Sequence, residues 1–297
     1  MALRLPDRWV WDFWFAVAGE EVHVFFLQAP RTLGDPELRH RSATIGHAVS
    51  RDLRDWTLRS DALGPGGPGE FDEVATWTGC VVGEDGAWCM YYTGLGADGV
   101  QRIGLAVSRD LEAWEKRGVL VEADPAVYER EHWRDPWVVE VGGRRHMLLC
   151  ARAADGPRAT RGVIGYAVRG DDGVWAAAAP LSRPGDFYQL EVPQVVELGG
   201  AWRCLFCTEH GAQWGTHYLT GPSPLGPFAL DEPDFLAGDD AGSHYAGRVL
   251  EFGGRKHFFA WRQHDERGDF LGELSDPMEV VDGPPPWITW PPGTPPS

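Results

Sequence analysis

The segment IGHAVSRDLRDW at residues 45–56 returns as IGLAVSRDLEAW at 103–114 and, in weaker form, as IGYAVRGDDGVW at 164–175. A second series of apolar stretches runs alongside it: HVFFLQA (23–29), WCMYYTG (88–94), HMLLCAR (146–152), WRCLFCT (202–208) and KHFFAWR (256–262). Their starts lie 65, 58, 56 and 54 residues apart. Short apolar runs punctuated by Gly, Pro and Asp turns, with no long helical period, confine such a chain to repeating β architectures. Each unit reads as an inner strand, a tight turn (AGEE, GEDG, VGGRR, LGGAW, FGGRK) and an apolar second strand. A third strand, a Ser-Arg-Asp-type hairpin and a fourth strand ending near Trp follow. Four-stranded units at this spacing are what propeller blades require, because radial repetition protects the sheet edges. Five units over residues 9–282 predict an all-β fold, a five-bladed β-propeller with four antiparallel strands per blade. It forms a single domain over 1–283, followed by a Pro-rich C-terminal tail, 284–297. An all-β sandwich is the main rival, and the regular period speaks against it. The tail GPPPWITWPPGTPPS cannot supply a sheet interior and is expected to lie extended on the surface.

Composition narrows the partners. Asp and Glu number 44 against 27 Lys and Arg, a net charge of -17, which speaks against nucleic acid or an anionic membrane. The first residues, MALRLPDRWVWDFWF, lack the pattern of a secretory signal, and no apolar run reaches the length of a membrane span. Five cysteines at irregular spacing argue against a disulfide framework and for a reducing, cytoplasmic location. Cys204 and Cys207 resemble a CxxC pair, but alternation along a strand puts them on opposite faces, so two buried thiols are expected. The Ser50-Asp52-Trp56 and Ser108-Asp110-Trp114 repeats are expected to cap hairpins and pack blades rather than do chemistry.

Inner strands of a propeller line its central channel. Aligned on the turn that follows each inner strand, Gly19, Gly142 and Gly199 coincide. Asp12 lies seven residues before Gly19, Asp135 seven before Gly142 and Glu191 eight before Gly199. In unit two the register falls near Thr76 to Thr78, and in unit five near His244 to Ala246. Burying unpaired carboxylates costs free energy, so three of them converging on one cavity point to acid–base chemistry. Arg134 could keep one of them ionised. Glycoside cleavage needs one carboxyl group to protonate the leaving oxygen and another to attack or to activate water. A third can stabilise the oxocarbenium-like transition state. Tryptophan faces bind the apolar faces of sugars, and Trp9, Trp11, Trp14, Trp77 and Trp133 stand near the acids in sequence.

These motifs resemble glycoside hydrolase families 32 and 68, the invertase and levansucrase clan of five-bladed propellers. VWDFW (10–14) looks like the nucleophile segment of the levansucrase family, and HVFFLQ (23–28) resembles the invertase strand that ends in a substrate-binding Gln. WTGCVV (77–82) resembles the aromatic-Ser-Gly segment with Thr78 in place of Ser. WRDPWV (133–138) matches the RDP motif, and LEVPQVV (190–196) resembles the acid/base segment. The resemblance implies Asp12 as nucleophile, Asp135 as transition-state stabiliser and Glu191 as acid/base, which must be protonated near neutral pH. It implies Gln28, Trp77, Thr78 and Arg134 as sugar-holding residues. Trp11, Gln189 and His244 are added to the substrate-binding set from their neighbouring positions. The implied activity is that of a retaining hydrolase of β-fructofuranosides such as sucrose or short fructo-oligosaccharides, with transfructosylation as an accompanying outcome.

Two other readings stay open. An inverting propeller of the family 43 type would act on arabinofuranosides or xylosides. A non-catalytic propeller would bind a carbohydrate or protein. No cofactor or metal is expected, since no two His residues share ligand spacing on one element. The expected partner is a small oligosaccharide or glycoside. Invertase-type proteins carry a C-terminal β-sandwich, which this chain is not expected to have; a homo-oligomer could take its place.

Overall fold

The computed structural model describes residues 3–210, 213–230, 235–281, 283 and 287–289. Its regular structure consists of strands and three short 3-10 turns. Blade 1 contains β1 (Arg8–Ala18), β2 (Glu21–Pro30), β3 (Thr44–Ser50) and β4 (Thr57–Leu58); blade 2 contains β5 (Ala75–Glu84), β6 (Ala87–Leu95), β7 (Gln101–Ser108) and β8 (Glu115–Val121). Blade 3 holds β9 (Tyr128–Val141), β10 (Arg144–Ala153), β11 (Gly162–Arg169) and β12 (Trp175–Ala178). Blade 4 holds β13 (Glu191–Leu198), β14 (Ala201–His210), β15 (Gln213–Gly221) and β16 (Phe235–Asp239). Blade 5 comprises β17 (His244–Phe252), β18 (Arg255–His264), β19 (Phe270–Leu274), β20 (Met278–Val280) and β21 (Ile288–Thr289). All pairings within the sheets are antiparallel, and strand order follows chain order in every blade.

The five-bladed propeller expected from the repeats is therefore present, with one difference in strand count. In blade 5 the third strand is broken into β19 and β20, both paired with β18. Pro277 stands in the break, where it has no N–H to donate to a ladder. Of the tail, Ile288–Thr289 forms the outer edge against β20, and Trp287 is buried against Tyr218. The repeat tryptophans also sit differently from expectation. Trp56 and Trp114 stand just before the fourth strand and Trp175 opens it, so they begin that strand rather than end it.

Inner strands β1, β5, β9, β13 and β17 each touch their neighbours, and β17 touches β1, which closes the ring. Four apolar clusters fill the gaps between blades. Cys204 and Cys207 fall into different ones, as alternation along β14 requires. All five cysteines are buried and free. Blades 5 and 1 meet at a tight seam. Leu274 N donates to Leu3 O at 3.1 Å, Arg31 Nη2 to Leu271 O at 2.8 Å, and Arg248 Nε to Phe13 O at 2.8 Å. Gly272 packs on Trp9 with φ of 62°, and a Cβ there would lie 2.9 Å from the tryptophan side chain. Only glycine satisfies both conditions without strain.

The turn after each inner strand has a left-handed residue at its corner: Gly19, Asp85, Gly142, Gly199 and Gly253, with φ between 48° and 63°. Seven residues before each corner, the pairing of inner and second strand slips by one residue. These β-bulges lie at Asp12, Thr78, Asp135, Val192 and Ala246, and φ is positive at the last three, 57°, 46° and 52°. A bulge re-aims side chains where a flat strand would hold strict alternation. Here it turns one residue from each blade toward the axis.

Candidate active site

The bulges arrange the channel mouth in two rings of side chains. The bulged positions carry Asp12, Thr78, Asp135, Val192 and Ala246; the positions just before them carry Trp11, Trp77, Arg134, Glu191 and Tyr245. Glu191 thus belongs to a different ring from Asp12 and Asp135. The spacing of eight rather than seven residues to its turn reflects that offset. The two rings lie one residue apart, close enough for all three carboxylates to reach one pocket. That pocket, of about 210 Å3, is lined by Trp11, Asp12, Leu27, His40, Trp77, Thr78, Gln101, His132, Arg134, Asp135 and Glu191. Its size suits one monosaccharide ring. Clefts of about 590 Å3 around Gly19 and Gly253 and of about 470 Å3 around Phe187 and Phe228 do not bring three carboxylates together; one of about 280 Å3 has Glu21, Asp52 and Asp55, but there Asp52 caps its own hairpin and Glu21 pairs with Arg51.

Each acid is held by named donors. Asp12 Oδ2 accepts from Thr78 Oγ1 and its Oδ1 from Trp261 Nε1, both at 3.1 Å. Asp135 is buried; its Oδ2 accepts from Val192 N at 3.0 Å and lies 3.6 Å from Arg134 Nε. Its own N–H donates to Thr93 Oγ1 at 3.0 Å, and Thr93 Oγ1 in turn donates to Thr78 O at 3.2 Å, so blade 2 supports the bulges of two blades. Glu191 Oε1 accepts from Arg134 Nη2 at 2.8 Å and Oε2 from Tyr245 Oη at 2.6 Å. Arg134 Nη2 also donates to Gln189 Oε1 at 3.0 Å, which locks the guanidinium between the two side chains.

One nearby guanidinium pairs with two of three clustered carboxylates, and the third responds. Burial, then repulsion by Asp135 and Glu191, pushes Asp12 up to about 7, against the pull of Thr78 and Arg39. Burial also raises Asp135, opposed by Arg134. Asp12 and Asp135 repel each other across the pocket, so their upward shifts are not independent. The phenol of Tyr245 is pushed well above its usual value by burial and by the adjacent Glu191, so it remains a donor.

The expected sugar-holding residues divide. Trp11, Trp77, Thr78 and Arg134 line the pocket with the three acids. Gln189 stands behind Arg134. Gln28 is buried one residue from pocket-lining Leu27, its Nε2 donating to Thr44 Oγ1 at 3.3 Å. His244 does not line the pocket; its Nδ1 lies 2.7 Å from Ser243 Oγ. Blade 5 reaches the acids through Tyr245 and its bond to Glu191, because neighbouring residues on a strand face opposite ways. Of the five tryptophans expected around the acids, three belong to the packing. Trp14 stacks on Phe25, Trp133 tilts against Tyr128, and Trp9 meets Phe270 edge-on, all buried.

Sequence reasoning missed Tyr245, Trp261, Arg39, His40 and Arg248. Tyr245 lies eight residues before Gly253, the spacing of Glu191, so a register signal existed. Arg39 comes from the turn Pro36–Arg41 and caps Trp11, Trp261 and Phe270 at 5.6, 5.9 and 4.7 Å. Nothing in its local sequence marks it. Buried Arg248 bonds Phe13 O and Pro193 O and lies over Trp137, tying four blades together beneath the acids. Away from this pocket, His23, His47 and Glu112 bring three potential ligand atoms within 4.8 Å of one another. Two strands and a hairpin of the next blade supply them, which spacing on one element could not reveal. His23 Nδ1 and His47 Nε2 are 2.9 Å apart, as in a His–His hydrogen bond.

Fold and site together define a five-bladed propeller with three carboxyl groups in one pocket at its channel mouth. The chain belongs to the glycosyl hydrolases family 32 N-terminal domain family, whose profile matches residues 15–268. Asp135 and Glu191 lie inside the match and Asp12 three residues before it. A sucrose-6-phosphate hydrolase of Zymomonas mobilis is 33% identical over 117 residues, 37% of this chain and 22% of that protein. The solved sucrose-6-phosphate hydrolase of Lactobacillus gasseri superposes with a TM-score of 0.77 at 20% identity, over 95% of this chain and 61% of the other. The levansucrase of Bacillus subtilis superposes at 0.71 with 14% identity, over 93% and 85%. The likeness to these two structures is one of fold. No helix among the described residues is long and apolar enough to cross a membrane.

Proposed function

We propose that this protein cleaves β-fructofuranosides with retention of configuration. The observation that carries the reading is the convergence of Asp12, Asp135 and Glu191 from three blades on one pocket, with Trp11 and Trp77 as walls. Asp12 attacks the anomeric carbon of the fructosyl group as Glu191 gives its proton to the leaving oxygen. The glycosidic C–O bond breaks and a fructosyl ester forms on Asp12. Glu191 then takes a proton from water, or from a sugar hydroxyl, which attacks the same carbon and releases Asp12. Asp135, fixed by Val192 N and Arg134, faces the positive charge that develops on the ring. Attack needs Asp12 ionised, and departure needs a proton on Glu191.

Sucrose, short fructans and sucrose 6-phosphate are the candidate substrates, the last because relatives carry it in their names. Five free, buried thiols fit a reducing compartment. The test is a panel of these substrates together with nitrophenyl arabinofuranosides and xylosides, with the first-formed anomer followed by NMR. Fructose released first as the β-anomer is the expected result. Release of arabinose or xylose with inversion overturns the reading, as does turnover that survives Asp12→Asn.

A further inference from the structure

Most polar side chains of the acid pocket are already committed to one another. Thr78 Oγ1 donates to Asp12, Arg134 Nη2 to Gln189 and Glu191, and Trp77 Nε1 to His40 O at 2.7 Å. Both oxygens of Glu191 accept bonds, as do both of Asp12. A furanose entering such a pocket finds acceptors for its O–H groups, but its own lone pairs need donors. Gln101 is placed to supply them. It opens β7, the third strand of blade 2, and lines the pocket although it stands on no inner strand.

Its carboxamide has a fixed direction. Gln101 Oε1 accepts from Trp133 N at 3.0 Å, across the gap between blades 2 and 3. A backbone N–H only donates, so the oxygen end of the amide faces Trp133 and the NH2 end faces elsewhere. Nε2 has no hydrogen-bond partner among the described residues, and it is not one of the polar atoms sealed from solvent. Gln101 as a whole is only 6% exposed, so the pocket it lines is where those two N–H bonds open. Trp133, which anchors the oxygen end, is buried and stands two residues before Asp135 on the same strand. The amide is thereby held in register with the acid of blade 3.

We propose that Gln101 is a sugar-binding residue whose NH2 group donates to a hydroxyl oxygen of the furanose held between Asp12 and Asp135. The proposal deepens the reading of this pocket as a fructoside site and rests on it. A carboxamide adds donors without adding charge, so the protonation of the acids stays governed by burial, by one another and by Arg134. Its anchoring to the Trp133 backbone leaves little side-chain freedom to lose when the sugar binds.

The test pairs Gln101 variants of the full chain with sucrose and with sucrose analogues that each lack one fructosyl hydroxyl. In the parent protein, loss of the hydroxyl that Gln101 holds should lower kcat/KM by about tenfold. Gln101→Leu should lower kcat/KM for sucrose by about the same factor and lose nothing further on that one analogue, while every other analogue keeps its parental penalty. Gln101→Glu retains an oxygen to accept from Trp133 N and removes the donors. It covers the case in which the leucine variant does not fold, and the same non-additivity is expected of it. A Gln101 that only supports Trp133 would weaken turnover of all the analogues alike. Penalties that multiply for every hydroxyl, or a Gln101→Leu enzyme within about twofold of the parent on sucrose, overturn the assignment and leave the fructosidase reading intact. Absence of turnover by the parent on every fructoside overturns that reading, and the sugar contact falls with it.

Discussion

The outer hairpins of blades 1 and 2 and the inner bulges of all five blades are both repeated features, and they treat sequence in opposite ways. At the hairpins side chain and backbone repeat together. Ser50 Oγ accepts from Leu53 N at 2.9 Å and Asp52 Oδ1 accepts from Arg54 N and Asp55 N at 2.8 Å; Ser108 and Asp110 reproduce the same bonds within 0.1 Å. Leu53 and Leu111 share φ values of 64° and 65°. At the bulges only the backbone repeats, while the side chains run Asp, Thr, Asp, Val and Ala. Where two copies of a unit close the same turn, the same side chains serve both, because the caps are local to the turn. A site on the symmetry axis needs one nucleophile, one acid and one cation, so the chemistry appears where the period fails.

If this division holds, variants of the two regions part company in stability and activity. The largest effect is expected at the bulge ring: Asp12→Asn or Glu191→Gln should lower kcat by on the order of 10^3-fold or more, with the circular dichroism spectrum retained. Retained turnover would place the chemistry elsewhere. The same Asp12→Asn should stabilise the fold. A carboxyl raised from 3.8 to about 7 holds a proton in the folded state that the unfolded chain has released. Its contribution to stability therefore falls as pH rises through that window. Denaturant titrations should find the variant more stable by on the order of 2 kcal/mol near pH 8, with the gain fading near pH 4. In the parent protein, kcat/KM should fall on the acid side of about pH 7, where Asp12 takes up its proton.

Smaller effects test the borders. Tyr245→Phe removes the 2.6 Å bond to Glu191 and should lower kcat by about tenfold while KM changes less. An unchanged kcat would reduce Tyr245 to packing. Ser50→Ala and Ser108→Ala should each cost about 1 kcal/mol in unfolding free energy and leave kcat/KM within about twofold. Loss of activity without loss of stability in these variants would erase the distinction between the regions. His244→Ala, outside the pocket, should change kcat/KM least of all.

Legibility in the sequence followed the same division. The five-fold period, the glycine corners and the alternation that separates Cys204 from Cys207 are local matters and could be read residue by residue. The acids were found because a carboxylate in an apolar inner strand is conspicuous. The tryptophans misled because a ring beside an acid in sequence can face the channel or the next blade: Trp11 and Trp77 face the pocket, while Trp9, Trp14 and Trp133 are packed away. His244 was preferred to Tyr245 although the spacing to Gly253 marked Tyr245; which of the two neighbours faces the acids is fixed by the bulge in the pairing of β17 with β18.

By itself the sequence determined the architecture and the identity of the three acids, because strand period, turn chemistry and the cost of burying charge are properties of short segments. Tertiary structure decided the rest: that Glu191 occupies a different ring from Asp12 and Asp135, that Tyr245, Trp261 and Arg39 complete the site, and that Gln101 lines the pocket from a third strand. Those contacts join residues from 54 to 249 positions apart in the case of Tyr245–Glu191 and Trp261–Asp12. Closing the ring brings them together, and the shift of Asp12 to about 7 comes from burial and from neighbours in two other blades.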